Sequence, residues 1–322
     1  MKNQSEFENG WTNVDINKYD IRGRNIFRPA NSGLVRSYFK MYIKPEDKIF
    51  EIGSGLGELA KLVPEYNDRL IQTEQSTRIS SVNKRANPNT NIIAANTYNL
   101  PFSDRSFNTA IGYSMLDTLA DPKQAFQELS RVLKSKGKVI HFLDMGAAPY
   151  PLLTKYKNSE FKFVPYQEED GAGIRLIPKK EWVDFIGKIE PSSLVGMLEL
   201  FAKDPIYGFN YLDDKDPSGK IIGLLSQSAE KTASQTKVIK FNDFFASQLD
   251  EAADQNGFTV LESDKRSFMI DVPKEGVYTQ KSGVNFYVSN LGHIHFSRLN
   301  GVSPNEVTVA STMHVFIAQK KE

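Results

Sequence analysis

Residues 50–59 read FEIGSGLGEL, in which an apolar run containing a carboxylate leads into three alternating glycines. The glycines are Gly53, Gly55 and Gly57. Glycines at the end of a strand let the backbone turn sharply and approach a ligand closely. A dinucleotide-binding turn would carry its third glycine one position later, where this chain has Glu58, and the Walker sequence Gly-Lys-Ser/Thr is absent. Because Glu51 adds a negative charge, the stretch predicts a ligand without phosphates, and a positively charged one fits it. The alternative is an ordinary strand–turn–helix connection.

A second carboxylate ends the next predicted strand. Glu74 follows the run RLIQT. An acidic side chain at this place can accept hydrogen bonds from both hydroxyl groups of a ribose, as it does in dinucleotide-binding folds. The alternative is a surface glutamate that caps the following helix.

Strand and helix signals alternate from Lys48 onwards, and this order predicts a parallel sheet with right-handed crossovers. The predicted strands are KIFEI, RLIQTE, NIIAAN, SFNTAIGYSML and KVIHFLDM. The best predicted helix is PKQAFQELSRVLK, with Asp121 as N-cap, Pro122 in the first position and Gln124 placed to complete a capping box.

The alternation lapses over residues 146–236, which carry helix signals at Lys179–Ile189 and Ser192–Ala202. It resumes with the helix FNDFFASQLDEAADQNGF, the strand TVLES, a hairpin over Tyr278–Phe296 and a last strand, MHVFIAQKK. We therefore predict an α/β fold: a Rossmann-like, doubly wound, mostly parallel seven-stranded sheet with an α-rich cap insertion. The predicted parts are an N-terminal arm or lid at 1–31, a core at 32–145 and 237–322, and the cap, on the substrate side, at 146–236.

Composition excludes several classes of chemistry. The chain has 322 residues and no cysteine, so disulfides, thiolate metal sites and cysteine nucleophiles are ruled out. None of its 4 histidines has a metal-ligand spacing, and no metal is expected. With 40 Lys and Arg against 39 Asp and Glu, nothing global indicates nucleic acid as a partner. The polar N-terminus and the lack of a long apolar run predict a cytoplasmic protein without a membrane span; the oligomeric state is left open.

Two further runs complete a family resemblance. They are LPFSDRSF, residues 100–107, and RVLKSKGK, residues 131–138. Together with the glycine stretch and Glu74 they resemble the class I S-adenosylmethionine-dependent methyltransferases, in particular the small-molecule branch that includes the ubiquinone and menaquinone methyltransferases. The resemblance spans about Val35–Asp144, Phe241–Glu262 and the last strand, and leaves out the cap and the first thirty residues.

The resemblance implies S-adenosyl-L-methionine as the cofactor. It gives Glu51 and the three glycines to the methionine part, whose carboxylate would face the turn amides, and Glu74 to the ribose. Asn96, where the family usually has Asp, would meet the adenine amino group, and Thr97 would lie beside the ring. Tyr113 and Ser114 would line the pocket near the methyl group. Ser54 and Gln75 complete the predicted cofactor-binding residues.

Methyl transfer is an in-line displacement in which positioning can supply most of the catalysis, and a general base is needed only when the acceptor must lose a proton. The candidates beyond the fourth and fifth strands are Asp117, Tyr113 and Asp144. Asp117 leads because relatives often have His there; its alternative role is to cap the turn after strand four. His141 is expected to be buried and neutral.

The cap is rich in aromatic residues, which could enclose an apolar or aromatic small-molecule acceptor and exclude water, or could form the cap's own core. They are Tyr150, Tyr156, Phe161, Phe163, Tyr166, Trp182, Phe185, Phe201, Tyr207, Phe209 and Tyr211. The alternatives are a protein or RNA methyltransferase and a non-catalytic S-adenosylmethionine-binding protein. The sequence GYSM at 112–115 lacks the prolines of amino-directed nucleic-acid methyltransferases, so no nucleic acid partner is expected.

Overall fold

The computed structural model describes residues 25–27, 29–119, 121–143, 159–168, 171–203, 220–232, 236–273, 277–281, 284–288, 294–297 and 306–322. The chain forms two compact units. The first unit is Met1–Asp144, Ala246–Met269 and Thr312–Glu322, and the second is Met145–Phe245 and Ile270–Ser311. Residues 270–311 thus group with the second unit, whereas the sequence assigned them to the core.

The described strands and helices are as follows. In chain order the strands are β1 Ile49–Ile52, β2 Leu70–Glu74, β3 Asn91–Ala94, β4 Phe107–Tyr113, β5 Leu133–Leu143, β6 Phe161–Glu168, β7 Gly171–Pro178, β8 Lys237–Lys240, β9 Phe258–Pro273, β10 Val277–Lys281, β11 Val284–Val288, β12 Ile294–Ser297 and β13 Glu306–Lys320. The α-helices are α1 Pro29–Tyr42, α2 Glu58–Leu62, α3 Thr77–Ala86, α4 Pro122–Val132, α5 Trp182–Ile186, α6 Val195–Lys203, α7 Lys220–Thr232 and α8 Phe241–Gln255. Short 3-10 helices lie at Asn25–Phe27, Pro64–Arg69, Leu116–Thr118, Lys179–Glu181 and Ser192–Leu194.

A seven-stranded sheet organises the first unit, with the order β3-β2-β1-β4-β5-β13-β9. Strands β1 to β5 pair in parallel, and β13 runs antiparallel to β5. All four residues of β1 are buried, as expected for a strand covered on both faces. The predicted mostly parallel, seven-stranded α/β sheet is confirmed.

Aromatic side chains fasten helices to both faces of this sheet. On one face, Tyr38 and Phe39 of α1 meet Phe142 of β5 edge to face, with ring centroids 5.8 and 5.9 Å apart. On the other face, Phe126 of α4 meets Phe316 of β13 at 5.7 Å. Such offset aromatic pairs stabilise the packing beyond the area they bury. They hold the carboxyl ends of the central strands in a fixed frame.

The start of α4 agrees with the sequence in one respect and differs in another. Asp121 is the N-cap, and its Oδ1 accepts a hydrogen bond from the Gln124 amide at 3.0 Å, as predicted. The return bond of the predicted capping box is not made. The Asp121 amide donates instead to the Tyr98 hydroxyl at 3.1 Å. The Tyr98 hydroxyl, which is distant in the chain, therefore accepts the hydrogen bond that the Gln124 side chain was expected to accept.

The second unit contains more β-structure than predicted. Strands β6, β7 and β8 form one antiparallel sheet, and β10, β11 and β12 form another. Helices α6 and α7 contact β6. Within 146–236 the helices α5 and α6 are present where they were predicted, whereas the strands β6 and β7 were not predicted. Pro165, Gly171 and Gly173 made this stretch look like loops, because both residue types are depleted in strands.

The predicted hairpin over Tyr278–Phe296 corresponds to the antiparallel pair β11–β12, and its turn, 289–292, lies outside the described residues. Residues 270–311 group with the second unit, in which β12 contacts β7. Of the aromatic residues singled out in the predicted cap, five are buried: Phe163, Tyr166, Trp182, Phe185 and Phe201. In the described part of the chain, no helix has the length and apolar character needed to cross a membrane.

The cap of α4 gives a stability prediction. Asp121→Ala should lower the free energy of unfolding by about 1 kcal/mol, because the Gln124 amide loses its acceptor. Asp121→Asn keeps an acceptor oxygen and is the matched control. Urea denaturation measures both variants. Equal losses in the two variants would show that the cap bond is not the source of the effect.

Candidate functional site

The glycine turn after β1 is a left-handed stretch of backbone. Gly53, Gly55 and Gly57 have φ angles of 60°, 53° and 83°, values that only glycine adopts readily. A Cβ atom on Gly53 would lie 2.4 Å from Cγ of Met115, in the loop after β4. The loops that follow β1 and β4 are therefore in direct contact, and this contact requires glycine.

Asn83, on α3, holds the glycine turn from behind. Its side chain is fully buried, and Nδ2 donates to the hydroxyl oxygen of Ser54 at 3.3 Å and to the carbonyl oxygen of Gly55 at 3.2 Å. A Cβ atom on Gly57 would lie 2.5 Å from Asn83 Oδ1, so the missing side chain of Gly57 makes room for Asn83. Ser54, predicted to bind the cofactor, is itself buried and engaged by this asparagine.

A second asparagine one helical turn later extends the same support. Nδ2 of Asn87 donates to the carbonyl oxygen of Leu56 at 3.2 Å and to Oδ1 of Asn83 at 2.8 Å. Sequence reasoning missed both asparagines. The available signal was their i, i+4 spacing on the helix that follows Glu74, which places both on one face.

Glu74, at the end of β2, joins the turn directly. One carboxylate oxygen accepts from the Gly55 amide at 3.1 Å, and the other accepts from the Ser76 amide at 2.9 Å. Burial raises the pKa of Glu74, and the hydrogen bonds from the backbone amides of Ser76, Gly55 and Gln75 act in the opposite direction. A carboxylate offers about four acceptor positions, so with three backbone amides beside it about one position remains for a ribose hydroxyl.

The amides of the turn are less available than the family resemblance implied. Those of Ser54, Gly55 and Gly57 donate to Thr73 O, the Glu74 carboxylate and Ser54 O, respectively. These three amides therefore serve the turn itself and not the carboxylate of a ligand.

Glu51 is a buried acid beneath the turn. Its Oε2 accepts from Nε2 of Gln72 at 2.7 Å, and its main-chain carbonyl accepts from the Thr73 hydroxyl at 2.7 Å. Burial raises the pKa of Glu51 to about 8; the Gln72 hydrogen bond opposes this shift, and repulsion from Glu58 and Glu74 adds to it. Glu51, Glu58 and Glu74 are all buried, and a cationic ligand would lower the free-energy cost of their ionised forms.

His141 supports the loop after β4. It is fully buried, and its Nε2 accepts from the backbone amides of Met115 and Leu116 at 3.2 and 3.1 Å. Burial lowers its pKa to about 3, so the imidazole is neutral with the proton on Nδ1. A Cβ atom on Gly112 would lie 2.1 Å from His141 Cε1, so a glycine is needed there as well.

The predicted catalytic residues differ in exposure. Tyr113 and Ser114 are half-buried at the end of β4, and Ser114 has a positive φ of 48°. Asp117 is fully buried in the 3-10 helix Leu116–Thr118. Asp144 lies outside the described residues.

Asn96 and Thr97 are half-buried after β3, and Gln75 is exposed after β2. Oδ1 of Asn96 accepts from the Tyr98 amide at 2.8 Å, and the main-chain carbonyl of Asn96 accepts from the Asn99 amide at 3.0 Å. The oxygen predicted to receive the adenine amino group thus already has one protein partner, and one lone pair remains.

Comparisons with known proteins agree with this geometry. Residues 50–141 match the family model described as "Methyltransferase domain". The demethylmenaquinone methyltransferase of Paenarthrobacter aurescens is 27% identical over 118 residues, 37% of this chain and 45% of that protein. The protein of the same name from Thermotoga maritima is 27% identical over 100 residues, 30% of this chain and 43% of that protein. The chain thus spans less than half the length of these curated relatives.

Among solved structures, the YcgJ protein from Bacillus subtilis aligns at 13% identity with a TM-score of 0.45, covering 92% of this chain and 100% of that one. The fold assignment rests instead on the strand order. Residues 50–141, which contain the glycine turn, β2, β3 and β4, thus resemble a methyltransferase domain, and they form part of a mostly parallel α/β sheet.

The turn geometry gives a stability prediction. Gly57→Ala should destabilise the protein by about 1–3 kcal/mol, because an alanine is strained at this φ and its Cβ would meet Asn83. Gly33→Ala is the matched control: Gly33 is on α1, with nothing within 4 Å of an added Cβ, and alanine should stabilise the helix by about 0.5–1 kcal/mol. Urea denaturation of both variants checks this. A neutral Gly57→Ala would contradict the close packing.

Glu51 gives a pH prediction. Its pKa is higher in the folded protein than in the unfolded chain, so folding takes up a proton in the interval between the two values. Stability should therefore fall as pH rises from about 5 to about 8, by up to about 1.4 kcal/mol per pH unit. Glu51→Gln should remove this part of the slope and be relatively more stable at high pH. Urea denaturation across this range measures both proteins; parallel curves would refute the shift.

Proposed function

We propose that the protein is an S-adenosylmethionine-dependent methyltransferase that acts on a small-molecule acceptor. The main observation in support of the proposal is the hydrogen bond from the Gly55 amide to the Glu74 carboxylate. It joins the ribose-binding acid and the glycine turn into one rigid element. A site in which a nucleoside and an attached amino acid bind side by side needs this continuity.

The described residues suit the cofactor. Glu74 keeps an acceptor position for a ribose hydroxyl, and Asn96 and Thr97 lie after the next strand, where the adenine would bind. When bound, S-adenosylmethionine supplies a methyl group on a positively charged sulfur. A positively charged ligand lowers the free-energy cost of ionising the buried acid Glu51, whereas a ligand with phosphates would increase that cost.

Catalysis in this proposal is mainly positioning. His141 fixes the loop after β4 through its two amide contacts, and that loop begins with Ser114, directly after Tyr113 at the end of β4. Holding donor and acceptor in line can supply most of the rate enhancement. Of the predicted candidates, Tyr113 is half-buried, whereas Asp117 is enclosed. We therefore assign Tyr113 to the acceptor side and Asp117 to the turn after β4. Asp144 stays a prediction.

The small-molecule acceptor is supported by two observations. The relatives from P. aurescens and T. maritima are named for a small molecule, demethylmenaquinone. The sequence at 112–115 also lacks the prolines of nucleic-acid amino methyltransferases. We assign acceptor binding to the second unit.

Cofactor binding gives the first test. Calorimetry should detect one site for S-adenosylmethionine and for S-adenosylhomocysteine, and Glu74→Ala should weaken binding by about 1–3 kcal/mol through loss of a buried acceptor. Glu65→Ala, which removes an exposed acid of the same unit, should bind like the wild type. The cofactor assignment fails if the wild type binds neither ligand, or if the two variants weaken binding equally.

The acceptor class has its own test. The wild type is incubated with methyl-labelled S-adenosylmethionine and a cell extract separated into small-molecule, protein and RNA fractions. Label should enter the small-molecule fraction, and Glu74→Ala should reduce it. Label confined to protein or RNA would overturn the acceptor assignment while leaving the cofactor site intact.

A further inference from the structure

Arg175 is a buried cation at the centre of the second unit. It lies on β7, the middle strand of the β6–β7–β8 sheet, directly opposite Val164 of β6 and Val238 of β8. Only 7% of the residue is exposed, and its neighbours Ile174 and Leu176 are buried on the opposite face of the strand. The Arg175 side chain is therefore largely buried on the other face of the strand.

The described contacts of this guanidinium are all with neutral groups. Nη1 donates to the Thr236 hydroxyl at 3.1 Å, and the guanidinium carbon lies 5.5 Å from the centroid of the Tyr166 ring. Nε is buried without an acceptor. Within the described part of the chain, no carboxylate forms an ion pair with Arg175.

Such an arrangement is unfavourable for a purely structural arginine. A guanidinium stays protonated in proteins, so it cannot relieve its burial by losing a proton. A buried charge is normally paired, and a buried N–H without an acceptor adds a further penalty. One hydroxyl and one aromatic face offset part of this. The remaining N–H groups match an oxyanion, which a guanidinium can bind through two parallel hydrogen bonds.

The strand register places a second basic residue, Lys162, on the same face of the sheet as Arg175. Residues directly opposite or two apart along a strand point to the same side, so Lys162, Val164 and Tyr166 of β6 share the face of Arg175. Nζ of Lys162 lies 4.7 Å from the centroid of the Trp182 ring. This face thus combines two cations with two aromatic rings, a combination suited to a planar organic anion.

The geometry points to an oxyanion-binding site at Arg175, which takes the carboxylate or phosphate group of a small-molecule ligand of the second unit. The guanidinium holds the anionic oxygens, the Thr236 hydroxyl keeps the guanidinium in place, and the Tyr166 ring contacts the ligand body. The site lies wholly within the second unit, so it stands or falls independently of the proposed cofactor site.

The test uses the full chain and two probes, sodium benzoate for a carboxylate and inorganic phosphate. Each is titrated by calorimetry and by thermal unfolding against sodium chloride at equal ionic strength. At least one probe should bind and raise the unfolding midpoint above the chloride value. Arg175→Met should weaken binding about tenfold or more, because the charged donors are lost. In chloride alone the same variant should be at least as stable as the wild type, because an unpaired buried charge has been removed.

Lys188→Met is the matched control, since it removes an exposed positive charge from the same unit and should leave binding unchanged. If Arg175→Met does not fold, Arg175→Lys decides, because it keeps the charge but loses the forked geometry and should bind more weakly. Absence of binding by either probe to the wild type overturns the site. Equal binding by the Arg175 and Lys188 variants also overturns it, because the effect would then be general electrostatics.

Discussion

The hydrogen bond from the Gly55 amide to the Glu74 carboxylate is the constraint on which the first unit's site depends. It ties the turn after β1 to the end of β2, and the second carboxylate oxygen ties both to the start of α3 through Ser76. The left-handed glycines make this approach possible, and Asn83 secures it from behind. Glu74 is therefore a structural brace as well as the expected ribose partner. Replacing it would disturb the turn and the ligand together.

Electrostatics distinguishes the two units. The first gathers the buried acids Glu51, Glu58 and Glu74, and burial raises the pKa of Glu51 and of Glu74. The second buries the guanidinium of Arg175 among neutral groups. Both arrangements are unfavourable for folding, and both become favourable when a ligand of the opposite charge is present. The buried charges thus lower the free energy of unfolding locally, at the places where they would bind a ligand of the opposite charge.

The sequence predicted the parts of the fold that local rules control. Buried strands alternating with helices gave the sheet, and the Asp121–Pro122 pair gave the start of α4. It did not predict contacts between residues distant in the chain. Asn83 reaching Gly55, Tyr98 taking the Asp121 amide and His141 accepting two amides from the loop after β4 all depend on tertiary packing. The strands of the second unit were missed because Pro165 and Gly173 resemble loop residues when read locally. Asp117 was a reasonable catalytic candidate by position, but its full burial is a property of the fold.

A crystal structure of the protein with S-adenosylhomocysteine is the most direct test of the cofactor site. A ribose hydroxyl should lie within hydrogen-bond distance of the Glu74 carboxylate, and the amino-acid part should lie along Gly53–Gly57. A ligand whose ribose contacts another residue instead, or which binds away from the ends of β1 and β2, would contradict this assignment.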